Sequence, residues 1–446
     1  MVYLSLFGIL LTIVLFVIAC FKGIPVTVSS VVLIFVIWLF SALCPGGPSF
    51  VEMVGIFGGG VGNIMEKYLL LFMVSALFGS IINTTGIASA LGRGYESLVA
   101  RAPQGARKLL AAALVPVLNA LFIYSGISVY VVVFAVVAVA RDLFKRMDIP
   151  WYMYSMSTIG SATFAAISLP GSPSVVNLAP IPYTGTTTAP APVFSAIITA
   201  ECIILGVLYM QFTLKRAERR GEGFLPSGAE IDKQVFAAGE EQEPVRLIYA
   251  LPLILLPIVL MNAFSVPVVQ ALLITNLVLL IAYRKRLPLP RMRQTVITGL
   301  EAGIRPAMTL GLMSGFAAVL TTAPGFEPVM DMLFALPLPG YLKIVVMLGV
   351  VSFLIGNFNA AVPSCMEILG PATLLTSGLS MEMIHRMITI SSLICISPHN
   401  SGLCNSISVA KLTHRNTYLH YFMIGPGLGL ILVVSACILI RLGIVY

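Results

Sequence analysis

The sequence predicts an all-α polytopic membrane protein, and three observations lead to this fold class. Hydrophobic residues make up 58% of the 446 residues and charged residues only 10%, whereas a soluble domain has about 25% charged residues. Apolar runs of roughly 18 or more residues, each long enough for a transmembrane helix, recur along the whole chain. Two of these runs are interrupted by proline and polar residues, which predicts two broken helices. At about 20 residues per span, the chain has room for roughly ten to twelve spans.

Charge and cysteine content exclude several classes of protein. The formal net charge of +8 is explained by loop Lys and Arg that follow the positive-inside rule, so no nucleic acid partner is expected. The seven cysteines and four histidines show no metal-ligand spacing, and we expect no cofactor and no metal other than Na⁺. The motifs of a P-loop pump, a zinc protease and a serine hydrolase are absent from the sequence. The chain is therefore not expected to be an enzyme.

The first half of the chain is assigned to residues 1–214. Its predicted unbroken spans are 2–21, 25–43, 68–87 and 193–214. The first of these lacks a basic n-region and a cleavage site, so we expect it to be retained. The glycine-rich stretch 44–62 carries no Lys or Arg and predicts an external loop, as does 180–192. The basic residues between 93 and 108 predict a cytoplasmic loop.

The apolar run 109–140 has an unusual length. Its 32 residues are too many for one span and too few for two spans with a turn. Its middle is polar and contains Gly126, and basic residues flank both ends. Two flanks of cytoplasmic type predict a re-entrant hairpin over about 107–141, with its tip near the membrane midplane. A simple pair of helices is the alternative.

The span predicted over about 150–182 contains Leu169-Pro-Gly-Ser-Pro-Ser-Val-Val-Asn177. Two prolines and a glycine break a helix, because proline lacks the amide donor and clashes with the preceding turn. In hydrocarbon, each freed backbone group costs several kcal/mol unless protein or a wet cavity satisfies it. We therefore expect the break to be functional, with a half-helix that begins near Ser174 and aims its amides at the midplane.

The second half, residues 247–446, follows a hydrophilic linker, 215–246, that we expect to be cytoplasmic and solvated. Its predicted unbroken spans are 247–262, 266–283, one that begins near 303, and 419–440. The stretch 324–340 predicts an external loop. A second hairpin is predicted over about 341–378, centred on Gly356.

A second broken helix is predicted over about 381–415. It contains Ser397-Pro-His-Asn-Ser-Gly-Leu-Cys-Asn405. The two hairpin glycines, Gly126 and Gly356, are 230 residues apart, and the prolines Pro170 and Pro398 are 228 apart. When sides are assigned from the basic loops, these nearly equal offsets predict an inverted-topology repeat with both tips and both breaks near the midplane.

The tips and breaks therefore supply the candidate binding residues. These are Ser125, Gly126, Ser128, Ser172, Pro173, Asn177, Gly356, Asn357, Asn359, His399, Asn400, Ser401 and Asn405. Half-helix N-termini suit a carboxylate, and Asn and Ser oxygens can coordinate Na⁺. Because we count no Lys or Arg in either tip or break, anion recognition is expected to rest on neutral dipoles and His399. Hydrogen bonds that only pack helices together are the alternative for the Asn and Ser residues.

Three ionisable residues in apolar runs are candidates for proton coupling. They are Glu201, Glu367 and His399. Ionisable groups are costly inside a membrane and usually face protein or water. A satisfied structural histidine is the alternative for His399.

Two of these motifs resemble a known family. Ala120-Leu-Phe-Ile-Tyr-Ser-Gly-Ile-Ser128 is similar to the first hairpin of the gluconate permease (GntP) family, and Ile396–Lys411 is similar to its second broken helix. The order of motifs over about 69–442 resembles this family, which belongs to the ion transporter superfamily. The resemblance implies proton- or sodium-coupled uptake of small organic acids by an elevator-like homodimer. That family usually carries a glutamate just before the first hairpin glycine, where this chain has Tyr124 and Ser125.

The sequence thus favours a secondary active transporter, a multi-pass symporter of the cell membrane. Its substrate would be a small organic acid anion, such as a sugar acid or hydroxycarboxylate, and its driving ion H⁺ or Na⁺. An ion or anion channel is the alternative, because re-entrant loops also line pores. Concentrative uptake separates the two classes, since a channel cannot accumulate its solute.

Overall fold

The computed structural model of the chain describes residues 2–124, 129–156, 167–172, 174–233, 245–264, 266–375 and 378–444. Within these ranges the regular elements are helices. In chain order they are α1 Val2–Phe21, α2 Val26–Ala42, α3 Phe50–Thr84, α4 Ile87–Val99, α5 Gln104–Tyr124, α6 Val129–Arg146, α7 Val175–Leu178, α8 Ile181–Thr184, α9 Pro192–Arg219, α10 Ala229–Lys233, α11 Leu247–Phe264, α12 Val268–Ala282, α13 Leu289–Thr322, α14 Phe326–Phe334, α15 Gly340–Ile355, α16 Phe358–Leu375, α17 Met381–Ser391, α18 Ser401–Ala410, α19 His414–Phe422 and, after a π-helical turn over Met423–Gly427, α20 Leu428–Arg441.

Six helices of the described ranges are long and apolar enough to cross a membrane. They are α1, α3, α5, α9, α13 and the continuous segment His414–Arg441 that α19 and α20 form. Shorter apolar helices include α2, α12, α15 and part of α11. Large hydrophobic side chains remain exposed along α1, α2, α9 and α20, which is the pattern that a lipid environment produces. The predicted class, an all-α polytopic membrane protein, is confirmed.

The centre of the fold is an antiparallel pair formed by α3 and α13. A Cβ on Gly60 would lie 2.8 Å from the Cα of Gly315, and a Cβ on Gly303 would lie 2.5 Å from the carbonyl oxygen of Phe72. Near one end of the pair, the Ser80 hydroxyl donates to the Thr295 carbonyl at 3.3 Å. The two backbones therefore approach closely wherever glycine removes the side chain, as small residues allow in membrane helix pairs.

This pair corrects one predicted loop. We expected 44–62 to be an irregular external loop, but α3 begins at Phe50, with Ser49 and Glu52 forming a capping box. Glycine has a low helix propensity in isolation. Here the packing of α3 on α13 overrides that propensity.

Two further predicted loops contain helices. The stretch 180–192 includes the short helix α8, and 324–340 includes the amphipathic helix α14. The linker prediction is also partly wrong, because residues 220–233 do not form a free solvated segment. Phe224 is buried against Trp151, with ring centroids 5.8 Å apart.

An ion-pair cluster holds this docked part of the linker on α6. The Asp232 carboxylate accepts hydrogen bonds from Lys145 at 2.7 Å and from Arg141 at 2.6 Å. These bonds hold the pKa of Asp232 below its usual value, the Lys145 bond contributing most. The linker therefore has a defined attachment to the helix that follows the first predicted tip.

The order of elements is the same in both halves of the chain. In the described residues, each half has two apolar helices, one very long helix, one short amphipathic helix, a helix pair, an irregular stretch at the predicted break and a final long helical segment. Corresponding helices run in opposite directions where they pack. This holds for α3 with α13 and for α9 with the continuous segment that α19 and α20 form, where Ser435 bonds Glu201 and His420 approaches Tyr209.

Candidate functional site

The first predicted break is confirmed. Residues 169–172 and Ser174 are not helical, and Gly171 takes a φ of +78°. The expected half-helix beyond the break is wrong, however, because α7 is only four residues long. The chain turns again through α8 before α9 begins. Such a short helix cannot supply the amide dipole that the sequence suggested.

The carbonyl groups freed by this break find side-chain donors inside the protein. Arg386, on α17 of the second half, donates to the Ser168 carbonyl at 2.6 Å and to the Ile167 carbonyl at 3.0 Å. Thr199 on α9 also donates to Ser168, at 2.7 Å. Asn177 closes the far side of the break by donating to the Ser172 carbonyl at 2.8 Å. The two halves of the chain are thus joined at the first break.

Arg386 is the most unusual residue of this site. Its side chain is fully buried, with an exposed fraction of 0%. Its guanidinium also donates to Asn177 Oδ1 at 3.3 Å, whereas its Nε has no hydrogen-bond partner among the described residues. Among the residues that the structure describes, no carboxylate pairs with it. A buried cation without a counter-ion is costly unless an anion can approach it.

The neighbours of Arg386 are also polar and buried. His385 is fully buried and its Nδ1 lies 2.6 Å from the Thr186 hydroxyl. Within the part of the chain that the structure describes, the His385 Nε2 has no hydrogen-bond partner. One turn earlier, the Glu382 carboxylate accepts from the Ala191 amide at 3.1 Å. This face of α17 is therefore a polar surface turned toward the first break.

Sequence reasoning missed both His385 and Arg386. We looked for cations only within the breaks themselves, and Arg386 lies 12 residues before Pro398. The available signal was an adjacent His and Arg inside the otherwise apolar run 381–397. Ionisable residues inside a span are functional candidates by default.

The second break is also confirmed, between the end of α17 and the start of α18. Its freed carbonyls are satisfied from α19: Tyr421 donates to Cys395 at 2.6 Å, Tyr418 donates to Ile396, and His414 Nε2 lies 2.9 Å from the Pro398 oxygen. These partners are neutral, in contrast to the guanidinium at the first break.

The second hairpin tip packs directly on the second break. Gly356 takes a φ of +66° between α15 and α16, and its carbonyl accepts from the Ser401 amide at 2.7 Å. A Cβ at this position would lie 2.5 Å from the His399 ring. Gly356 is therefore required both by its backbone conformation and by the close approach of His399.

His399 lies in aromatic rather than polar surroundings. Its ring stacks on Phe16 with centroids 4.8 Å apart, and Phe316 and Phe353 meet it edge-on. The hydrogen bond that His399 forms with the described residues is a long one of 3.4 Å between Nε2 and the Leu354 carbonyl. This geometry favours packing between α1, α13 and the second tip.

The other residues that we predicted to bind substrate or ion lie at several different places in the structure. Asn400 caps α18 by accepting from the Leu403 amide at 3.1 Å, and the Asn357 side chain accepts from the Asn359 amide at 2.9 Å. Asn405 is buried on α18, and the buried Ser172 hydroxyl has no hydrogen-bond partner in the described ranges. The predicted residues that lie outside the described part of the chain are Ser125, Gly126, Ser128 and Pro173, together with the side chain of Glu367.

Glu201, predicted for proton coupling, lies between α9 and α20. It accepts a hydrogen bond from Ser435 at 2.6 Å. The structure thus brings together the first break, α7, α8 and the second-half helices α16 and α17, and separately the second tip with the second break.

Comparison with known proteins adds one informative relative. No family model matches the chain. It is 24% identical over 410 residues to an uncharacterized transporter, YxjC, of Bacillus subtilis (strain 168), a match that covers 83% of this chain and 85% of the relative. The crystal structure of the Alcanivorax borkumensis YdaH transporter aligns with 88% of each chain, at 15% identity and a TM-score of 0.36. That structural similarity is too low to support a conclusion.

Proposed function

We propose that this protein is a secondary active transporter for a small organic acid anion. The observation that carries the proposal is Arg386, a fully buried guanidinium held at a helix break without a carboxylate partner in the described residues. A transported anion would supply the missing negative charge. Transporter binding sites form where helices break at the interface of two repeats. Arg386, in the second half of the chain, bonds the first break and so joins the two halves.

The contacts of Arg386 suit reversible binding of an anion. Two backbone carbonyls and Asn177 fix the guanidinium, so it is preorganised before any ligand arrives. Charge-assisted hydrogen bonds to a carboxylate are about twice as strong as neutral ones. Because carbonyl dipoles already share the guanidinium, its net attraction for an anion is moderated. Release, which a transporter needs, remains possible.

Three further features support transport over other activities. The chain is a polytopic membrane protein, its relative is named as a transporter, and the repeated element order with antiparallel partners fits an inverted repeat. The membership of the gluconate permease family, the plasma membrane location, the homodimer and coupling to H⁺ or Na⁺ belong to the same proposal. The finding of Arg386 replaces our expectation that neutral dipoles and His399 recognise the anion.

The experiment is uptake into proteoliposomes. Purified protein is reconstituted and offered radiolabelled lactate, malate and gluconate, a C3 to C6 series of hydroxy acids, under an imposed pH or Na⁺ gradient. We expect at least one acid to accumulate above its external concentration, and an uncharged analogue of that acid not to be transported.

The same assay tests the channel alternative. In the absence of a membrane potential, a channel would let the acid equilibrate but would not concentrate it. Equilibration without accumulation would therefore contradict the proposed function, as would uptake of the uncharged analogue at the same rate.

A further inference from the structure

Two cavities lie at the end of the molecule that carries the basic residues, and they share a wall. The larger, about 580 Å³, lies between the α3/α13 pair and the helices α6 and α18. The smaller, about 370 Å³, lies between the end of α18 and the loop that joins α1 to α2. Arg305, Ser408 and Lys411 line both cavities. We call these two adjacent spaces the basic vestibule.

The shared wall of the vestibule carries positive charge without matching partners. In the described part of the chain, the side chains of Arg305 and Lys411 form neither an ion pair nor a hydrogen bond. Of the acidic residues, Glu301 lines the larger cavity and Glu230 the smaller. Glu230 already pairs with Lys233 at 2.7 Å. Arg291 also lines the larger cavity. The cations of the vestibule therefore outnumber Glu301, the one lining carboxylate for which the described residues show no ion pair.

Both cations occupy unusual positions on the backbone. Arg305 lies in the middle of α13, inside an apolar helix long enough to span a membrane, where ionisable residues are rare unless they line a cavity. Lys411 follows α18 with a φ of +54°, an uncommon conformation for a residue with a side chain. The indole of Trp151 fixes this turn by donating to the Ala410 carbonyl at 2.8 Å.

We propose that Arg305 and Lys411 form a second anion site, which holds the carboxylate of the transported anion at the vestibule end of its path. This inference rests on the proposed function and deepens it. The helix α18 begins at the second break and ends at Lys411, so about 15 Å of helix separates the break from the vestibule. Cations within low-dielectric walls concentrate anions and accelerate their entry.

The first test measures charge selectivity and needs no substrate. Ser408, which lines both cavities, is replaced by cysteine in a Cys404→Ala background, because Cys404 lines the smaller cavity. The purified protein is treated with an anionic sulfonatoethyl methanethiosulfonate or its cationic trimethylammonium counterpart. We expect the ratio of the two rates to exceed that of free cysteine by about tenfold.

Variants decide whether the two cations cause this selectivity. In Arg305→Gln/Lys411→Gln the ratio should fall to that of free cysteine, whereas the charge-conserving Arg305→Lys/Lys411→Arg should retain it. The Cys404→Ala parent without the new cysteine corrects for background labelling. An unchanged ratio in the double glutamine variant would overturn the proposal.

The second test asks whether the site lies on the transport path. Uptake of the acid that the wild type accumulates is measured at rising ionic strength in inside-out and right-side-out vesicles. The double glutamine variant should lose the salt dependence in one orientation only, that in which the vestibule faces the added acid. Equal salt dependence in wild type and variant would remove the vestibule from the path, whereas a wild type that takes up no acid would contradict the proposed function itself.

Discussion

At the scale of single residues, the two breaks are satisfied by different chemistry. At the second break, neutral tyrosine and histidine side chains bond the freed carbonyl groups, whereas at the first break a buried arginine does so. A structural role alone would be served by a neutral donor, as the second break demonstrates. The positive charge of Arg386 is therefore not needed to satisfy the freed carbonyl groups of the first break. We interpret this charge as a sign that an anion binds there.

Asn177 is predicted to support Arg386. It donates to the Ser172 and Thr188 carbonyls and accepts from Arg386. Asn177→Ala should remove these three bonds and lower the free energy of unfolding by about 1.5–4.5 kcal/mol, at roughly 0.5–1.5 kcal/mol per net hydrogen bond. Thr187→Ala, on the exposed side of the same loop, is the matched control. Equal unfolding temperatures for both variants would contradict the role.

Asn400 distinguishes a capping role from a ligand role. Its side chain accepts from the Leu403 amide at the start of α18, and an N-cap contributes about 1 kcal/mol. Asn400→Ser retains a good cap with a shorter side chain, whereas Asn400→Ala removes it. If the cap is its function, uptake normalised to surface expression should survive in the serine variant and fall in the alanine variant. Loss of uptake in both would instead make Asn400 a ligand.

At the scale of elements, the helix breaks and the second tip were predictable, whereas the long helices and Arg386 were not. Proline and glycine act locally, so Pro170, Pro398 and Gly356 mark the irregular backbone directly in the sequence. The helical state of residues 50–62 depends on contacts with α13, more than 200 positions away, which no local pattern records. The role of Arg386 could not be predicted for the same reason, because its partners Ile167 and Ser168 lie in the other half of the chain.

The α3/α13 crossing should depend on particular glycines. A Cβ at Gly303 would collide with the backbone of α3, whereas a Cβ at Gly59 would meet nothing within 4 Å. Gly303→Ala should therefore lower the unfolding temperature in detergent, and Gly59→Ala should leave it unchanged or raise it, since alanine favours the helix. Equal effects of the two changes would argue against close backbone packing.

The linker attachment should depend on Asp232 and on pH. Asp232→Asn removes the carboxylate that Lys145 and Arg141 bind, so trypsin should cut after Lys233 faster, while the exposed Glu230→Gln should cause little change. Because the folded pKa of Asp232 is lowered, its favourable contribution is present above the unfolded value of about 3.9. The contribution is lost as the pH falls through the folded value. Cleavage of the wild type that is already as fast as that of Asp232→Asn at neutral pH would contradict the attachment.

At the scale of the whole molecule, the contacts separate two ends. The Gly325 amide donates to Ser5, which also bonds Ser41, at one end. At the other end Lys108 donates to the Asp148 carbonyl. The first contacts lie beside the stretches 44–62 and 324–340, which we predict to be external, and the second lies at the basic flanks of the first predicted hairpin, which we predict to be cytoplasmic.

The topology prediction concerns both halves at once. A cysteine introduced at Thr187, which is exposed, should react with a membrane-impermeant thiol reagent in whole cells. A cysteine at Lys285, exposed in a basic loop, should react only after the membrane is permeabilised. Equal labelling of both positions in intact cells would contradict the inverted repeat.

The central claim is that Arg386 binds the carboxylate of the transported anion. Its most direct test is equilibrium binding of the accumulated acid to purified wild type, Arg386→Lys and Arg386→Gln, with circular dichroism confirming that each is helical. The account predicts that the lysine variant binds more weakly, because it keeps the charge but loses the planar fork. It predicts that the glutamine variant loses at least about tenfold in affinity, the effect of one charge-assisted hydrogen bond. A folded Arg386→Gln protein that binds the acid as tightly as the wild type would contradict the claim.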